Sequence, residues 1–357
     1  MQEERILRLR SLMQEQGLQA LLITNATNRM YMTGFTGSSG YVLITEDRAI
    51  LLTDFRYMTQ APQQAVGYEV IEHAPKAMET VKELLAHAGL TKLGFEQNDM
   101  TYGVYQACAG ILGGVELIPT DSVVETLRMV KDEGELAVMQ EAAELADRTF
   151  EYILGILKPG MKELDIALEI EMYVRAHGAA STSFETIVAS GERSALPHGK
   201  ASKKVIGTNE FVKLDFGAYY KGYCSDITRT VVLGKPTDKH REIYNIVLEA
   251  QLEALDRIRS GMTGREADAV ARDVIKRYGY GDLFGHGTGH GLGMEIHEAP
   301  RLSITGDTVL APGMTVTVEP GIYIPGFGGV RIEDDIVITD TGNRRLTQSS
   351  KDLIVIP

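Results

Sequence analysis

The strongest constraint on this chain is that its second half repeats itself. Leu154-Gly155-Ile156-Leu157-Lys158-Pro159-Gly160-Met161 aligns with Leu255-Asp256-Arg257-Ile258-Arg259-Ser260-Gly261-Met262, 101 residues later. Each copy lies between two helical patterns, the second spanning 163–177 in one copy and 265–278 in the other. Each second helix stops at a glycine, Gly178 or Gly279, the residue that best tolerates the backbone that ends a helix. A strand–turn–strand pattern follows: 211–215 and 224–232 in the first copy, 314–319 and 329–337 in the second. The two short identities carry little alone; the shared order of elements carries more. A period this long excludes a solenoid, whose repeats run roughly 20–50 residues. The expected architecture is an α+β domain with a pseudo-twofold repeat, each half a helix–helix–hairpin.

The first third has a different grammar. Ile6, Leu7, Leu9, Leu12 and Met13 recur at helical spacing, and 18–24 reads as a short buried strand. Further strands are expected at 41–44, 49–53, 68–71, 92–95 and 115–118, with helices at 57–66, 77–87 and 102–112. This alternation predicts an α/β domain of mixed topology. The charged stretch 128–135 closes the linker, and Asp132 with Glu135 three residues on makes a capping-box start for a long helix. Two domains are therefore expected, 1–125 and 126–357, in line with roughly 150 residues per domain.

Charge and composition narrow the function classes. Asp plus Glu number 49 against 36 Lys plus Arg, a net charge of −13, which disfavours a nucleic-acid partner. No apolar run approaches the ~18–20 residues of a membrane span. The opening MQEERILRLR lacks the apolar core of a secretory signal. Cys108 and Cys224 make no disulfide framework, so a reducing, cytoplasmic setting is expected.

The two hairpins each carry two carboxylates. Asp215 and Asp226 lie in the first; Glu319 and Glu333 lie in the second, at offsets of 104 and 107. Singly, each reads as a solvated strand residue. Yet Val212, Leu214 and Phe216 flank Asp215, and Val316, Val318 and Pro320 flank Glu319. Acids in such runs are seldom buried without a partner. If the halves face each other, four carboxylates converge and repel unless protonated or neutralised. Divalent cations between them are the physical answer, and two such ions can share carboxylates.

Nitrogen donors come from Gly285-His286-Gly287-Thr288-Gly289-His290-Gly291-Leu292-Gly293, where glycines permit close backbone approach. The run matches neither GxGxxG nor the Walker pattern. His297, in Glu295-Ile296-His297-Glu298, is not part of an HExxH helix. His198, in Leu196-Pro197-His198-Gly199, is a further candidate; alone it also reads as a surface-loop histidine. No GxSxG elbow occurs, and Cys224 reads as a small buried apolar residue.

Taken in order, five motifs resemble the proline-specific metallopeptidases of the pita-bread family, Xaa-Pro dipeptidase (prolidase) and aminopeptidase P. They are Lys213-Leu214-Asp215-Phe216-Gly217, Cys224-Ser225-Asp226-Ile227-Thr228-Arg229-Thr230, Gly287 to Gly293, Thr317-Val318-Glu319-Pro320-Gly321-Ile322-Tyr323 and Val330-Arg331-Ile332-Glu333-Asp334. Tyr31-Met32-Thr33-Gly34-Phe35 and Thr53-Asp54-Phe55-Arg56-Tyr57 resemble the N-terminal domain of the same group, which methionine aminopeptidases lack. The resemblance implies a pita-bread catalytic domain and two divalent metals, Mn²⁺ or alternatively Co²⁺. It implies that Asp215 binds one metal, Asp226 and Glu333 bridge both, and His290 and Glu319 bind the other. It places His198, His297, His286 and Arg331 in the active site, with Glu319 also handling protons. The implied substrate is a small peptide with proline second, the implied assembly a homodimer. Dipeptidase is the first reading, aminopeptidase P the second. A binding module without turnover is the third, disfavoured because the five-ligand set is intact.

Overall fold

The computed structural model describes residues 2–357. They divide into two compact units, one ending at Arg128 and the other beginning at Met129. No helix among the described residues is long and apolar enough to cross a membrane.

The first unit is built on a six-stranded sheet. Its spatial order is Glu69–Glu72, Ala49–Thr53, Tyr41–Thr45, Ala20–Ile23, Lys92–Glu96, Glu116–Thr120. The Ala20–Ile23, Tyr41–Thr45 and Ala49–Thr53 strands pair antiparallel in succession, and the remaining pairings are parallel, so the topology is mixed as expected. Leu22, Leu43, Leu52 and Leu93 pack with Val81 and Leu85 of helix Ala77–His87.

Two local readings differ. The helix expected over 57–66 is broken into a 3₁₀ turn, Phe55–Tyr57, and one helical turn, Ala61–Gln64. Pro62 is the reason: its ring and missing N–H confine it to the first turn of a helix. An unanticipated helix spans Ala26–Thr33. Asn25 caps it by accepting from the Asn28 amide at 2.9 Å, and Gly34 ends it at φ 74°.

The second unit repeats one plan twice. Helices Glu133–Ile156 and Glu163–Ala176 precede the first hairpin; Asp238–Arg257 and Gly264–Arg277 precede the second. Both bonds of the Asp132–Glu135 capping box form, each at 2.9 Å. In the first half, Glu210–Phe216 and Ile227–Leu233 run antiparallel with Asp215 opposite Thr228. In the second, Thr315–Val318 and Asp334–Ile338 run antiparallel with Val318 opposite Asp334.

Strand alternation decides which side chains face inward. Val212, Leu214 and Phe216 join a core with Phe150, Ile153, Ile166 and Ile170 from the first two helices. Burying each such side chain contributes roughly 1.5–3 kcal/mol. That leaves Lys213 and Asp215 on the opposite face, although both are buried. The second half works the same way. Val316 and Val318 pack with Val247, Ala250, Val270 and Val274, which leaves Thr315 and Thr317 on the other face.

Each hairpin was expected to have one continuous return strand, and each return strand is broken. The first divides into Tyr223–Cys224 and Ile227–Leu233, the second into Gly328–Arg331 and Asp334–Ile338. Asp226 and Glu333 lie in the two breaks. At the second break the Glu333 amide leaves its own hairpin and donates to the Thr228 carbonyl at 3.1 Å, joining the halves.

Candidate metal centre

The pseudo-twofold plan brings all nine candidate residues to one cavity of about 520 Å³. Asp215, Asp226, His290, Glu319 and Glu333 line it, together with His198, His286, His297 and Arg331. Asp226, His290 and Glu333 each present a ligand atom within 4.8 Å of the others, and all three are buried.

Each donor is held by its own segment. Asp226 is fixed through its backbone, whose amide donates to Asp335 Oδ2 at 2.8 Å. The Thr228 hydroxyl donates to Glu333 Oε2. Thr317 Oγ1 donates to Glu319 Oε1 at 3.2 Å and accepts from the His290 amide at 3.1 Å. His290 sits at a bulge where Gly289–Gly291 pairs with Glu298–Leu302. Its neighbours must be glycine: a Cβ at Gly289 would lie 1.9 Å from the Thr317 carbonyl oxygen, and one at Gly291 2.1 Å from that of Ala299.

The histidine is presented as a ligand. His290 Nδ1 lies 2.9 Å from the Gly291 carbonyl, which only accepts, so the proton is on Nδ1. Nε2 then faces Glu319 Oε1 at 3.5 Å and Asp226 Oδ2 at 3.7 Å. Burial holds the imidazole neutral, with its pKa pushed down to about 3. A carbonyl partner that orients a neutral imidazole is the usual support of a metal-binding histidine.

The carboxylates are in the opposite condition. Burial raises the pKa of Asp226 well above the ordinary range, and Glu333 and Asp215 raise it further. Burial does the same to Glu333, with Glu319 and Asp215 adding to it. Glu319 is pushed up to about 7 by burial, against the pull of Arg331. Asp226 Oδ1 is buried and has no hydrogen-bond partner. Clustered acids, a neutral imidazole lone pair and an orphaned carboxylate oxygen fit divalent cations.

A second ring of groups surrounds this floor. Arg331 pairs with Asp215 through Nη2, approaches Glu319 at 3.9 Å, and donates to the Pro197 carbonyl at 3.0 Å. It also donates to the Tyr323 hydroxyl at 2.9 Å. His286 Nδ1 lies 2.8 Å from the Gly287 carbonyl, so its Nε2 accepts from Tyr323 Oη at 2.7 Å. Both ring nitrogens of His286 are thus engaged within the protein, and burial pushes its pKa down to about 4. His297 meets the His290 ring edge-on at 4.5 Å. His198 and His297 are both exposed to the cavity.

Sequence reasoning missed the supporting residues. Thr228, Thr317, Tyr323 and Asp335 bind the candidate donors; three of them stand within the quoted motifs, next to residues that were recognised. Asp268 was also missed: it accepts from the Thr288 amide at 2.8 Å and pairs with Arg272, which holds the His286 carbonyl at 2.7 Å. Its signal was an Asp–Arg pair four apart on helix Gly264–Arg277, indistinguishable from a surface pair.

Comparison with known proteins identifies the family. A sequence model of Metallopeptidase family M24 matches residues 137–340, and one of the Creatinase/Prolidase N-terminal domain matches 5–130. The chain belongs to metallopeptidase family M24. Among family members, an Xaa-Pro dipeptidase of Pyrococcus horikoshii is 40% identical over 353 residues, covering 98% of this chain and 99% of that one. A solved structure of an Xaa-Pro dipeptidase from Bacillus anthracis superposes with a TM-score of 0.98 at 55% identity, covering 100% of both chains. An X-Pro aminopeptidase from Thermotoga maritima superposes with a TM-score of 0.91 at 40% identity, covering 95% of this chain and 98% of that one. The fold is therefore the expected one: an N-terminal α/β unit and an M24 pita-bread catalytic unit. The protein is a metal-dependent peptidase.

Proposed function

We propose that the chain is a dinuclear-metal exopeptidase that hydrolyses Xaa-Pro dipeptides. The observation that carries this reading is the buried group of Asp226, His290 and Glu333, flanked by Asp215 and Glu319 on the floor of one cavity. Asp215 would hold one cation, His290 and Glu319 a second, and Asp226 and Glu333 would serve both. Mn²⁺ is the preferred ion, and Co²⁺ the alternative. Bound there, such ions lower the pKa of water and polarise the scissile carbonyl.

The side chains supply the rest. Glu319 lines the cavity beside His290, where its carboxylate can accept a proton from water and return it to the leaving nitrogen. That nitrogen carries no hydrogen before cleavage, because it belongs to proline. His198 and His297 face the cavity and can donate an N–H to the developing oxyanion. Arg331 and Tyr323 hold Asp215 and His286 in place.

Dipeptides are favoured over longer peptides on two grounds. The Pyrococcus horikoshii and Bacillus anthracis relatives are both Xaa-Pro dipeptidases. Arg301 lines the same cavity, a cation of the kind that a dipeptide's free carboxylate needs. We further propose a cytoplasmic homodimer, with its catalytic domain starting near residue 126. The deciding experiment is product release from Ala-Pro and Ala-Pro-Ala, side by side, with Mn²⁺ and with chelator. Metal-dependent cleavage of Ala-Pro alone is expected. Cleavage of the tripeptide with little on the dipeptide makes the protein an aminopeptidase P. Cleavage of neither overturns the peptidase assignment for proline substrates.

A further inference from the structure

One fully buried cation in this unit has no part in the chemistry above. Lys213 lies on the same face of the Glu210–Phe216 strand as Asp215, two residues before it, and is buried. Its ammonium donates to the Leu196 carbonyl at 2.6 Å, to that of Pro197 at 3.2 Å and to that of Ser194 at 3.3 Å. It also lies 5.0 Å from the centre of the Tyr323 ring. Removing an ammonium from water costs several kcal/mol, so a buried one needs a compensating arrangement. Here three carbonyls of a single loop converge on it.

That loop presents His198. Its upstream part is the 3₁₀ turn Gly191–Ala195, and the next residues, Leu196 and Pro197, offer two of the three carbonyls. Arg331 takes the Pro197 carbonyl as well, at 3.0 Å. On either side Glu163 ties down the chain, accepting from Ser190, Arg193 and Ser202. Gly199 is packed so closely that a Cβ would meet Ala189 Cβ at 3.0 Å. His198 itself is exposed, so what anchors it is the backbone on which it sits.

We propose that Lys213 is a positioning residue for His198: by holding the carbonyls of residues 194, 196 and 197, it fixes the backbone from which the imidazole enters the cavity. This rests on the Xaa-Pro peptidase reading, since it acts through a histidine assigned to that reaction. Lys213→Met keeps the length and removes the donors.

The test is a double-mutant cycle of Lys213→Met and His198→Ala, followed by Ala-Pro hydrolysis at saturating Mn²⁺. Each single change is expected to lower kcat, Lys213→Met by on the order of 10–100-fold. In the His198→Ala background, Lys213→Met should cost almost nothing more. Amide hydrogen exchange in chelated protein supplies a readout independent of turnover. Exchange at the amides of Ser194, Ala195, Leu196 and His198 is expected to quicken in Lys213→Met while the Glu210–Phe216 amides stay protected. Equal fold-losses of kcat in both backgrounds, or unchanged exchange at those loop amides, overturn the proposal. Should Lys213→Met not fold, Lys213→Leu carries the same cycle. A wild-type protein inactive on both peptides removes the peptidase reading instead, and the exchange comparison still tests the loop contact.

Discussion

Arg331 and Asp215 come from opposite halves of the repeat and meet as a buried ion pair, Nη2 against Oδ2. The same guanidinium donates to Thr228 Oγ1 at 3.1 Å and stands 3.9 Å from Glu319. One fixed positive charge therefore serves two of the four clustered carboxylates.

Removing that charge should damage both stability and activity. Arg331→Met leaves Asp215 buried without its partner, a change that typically costs about 3–5 kcal/mol. The melting temperature of chelated protein is expected to fall, and Mn²⁺-dependent kcat/KM on Ala-Pro to drop about 100-fold or more. Arg331→Lys should recover little, because an ammonium lacks the fork that reaches Asp215, Thr228 and Tyr323 together. Near-wild-type activity in the lysine variant would show that the fork geometry is unimportant.

Asp226→Ala and Glu333→Ala remove the two carboxylates assigned as bridges. Both variants should bind less metal per chain, measured by elemental analysis after dialysis, and lose activity by roughly 100-fold or more. Near-normal turnover in either at matched metal loading contradicts the assignment.

His198→Ala separates chemistry from metal binding. Metal content should match wild type, while kcat falls by on the order of 10²-fold, the scale of a lost general acid or hydrogen-bond donor. Loss of metal with loss of rate would make His198 a ligand.

Arg301→Ala tests the choice of substrate. If its charge meets the free carboxylate, KM for Ala-Pro should rise about 10–100-fold, the value of a charge-assisted hydrogen bond. An unchanged KM removes the cation from the recognition of dipeptides.

How far this site could be read in advance depended on which residues carry a local signal. Asp215 and Glu319 were legible because an acid inside an apolar strand contradicts its surroundings. His290 stood out as a nitrogen donor in a run whose glycines permit close backbone approach, and the close approaches at Gly289 and Gly291 bear out that part. Lys213 stood in the same apolar run, yet its partners are backbone carbonyls, which leave no mark on any side chain. The breaks beside Asp226 and Glu333 were illegible for a related reason. Neither Ser225-Asp226 nor Ile332-Glu333 contains the glycine or proline that would mark a break, and the pairing of Glu333 with Thr228 across the halves appears only in the folded chain. The Ala26–Thr33 helix is too short to show a period, but its caps, Asn25 and Gly34, were present to be read.

Acid–base linkage gives the metal-free protein a distinctive stability profile. Glu319 titrates at 4.5 ordinarily and near 7 when folded. Its raised pKa favours folding fully below about pH 4.5, and that contribution is lost as pH rises through 7. Asp226 and Glu333 shift in the same direction. His290 and His286 act oppositely, with folded pKa values near 3 and 4 against an ordinary 6.5. Their contribution is complete above about pH 6.5 and is lost only as pH falls. Above about pH 6.5 the histidine contribution is complete, and the carboxylates are opposed by Lys213, whose pKa burial lowers. The melting temperature of chelated protein should fall by several degrees between about pH 6.5 and 8. With saturating Mn²⁺ the fall should vanish or reverse, because cations between the carboxylates favour their ionised form. Parallel curves with and without metal would mean that the ions do not bind among these acids.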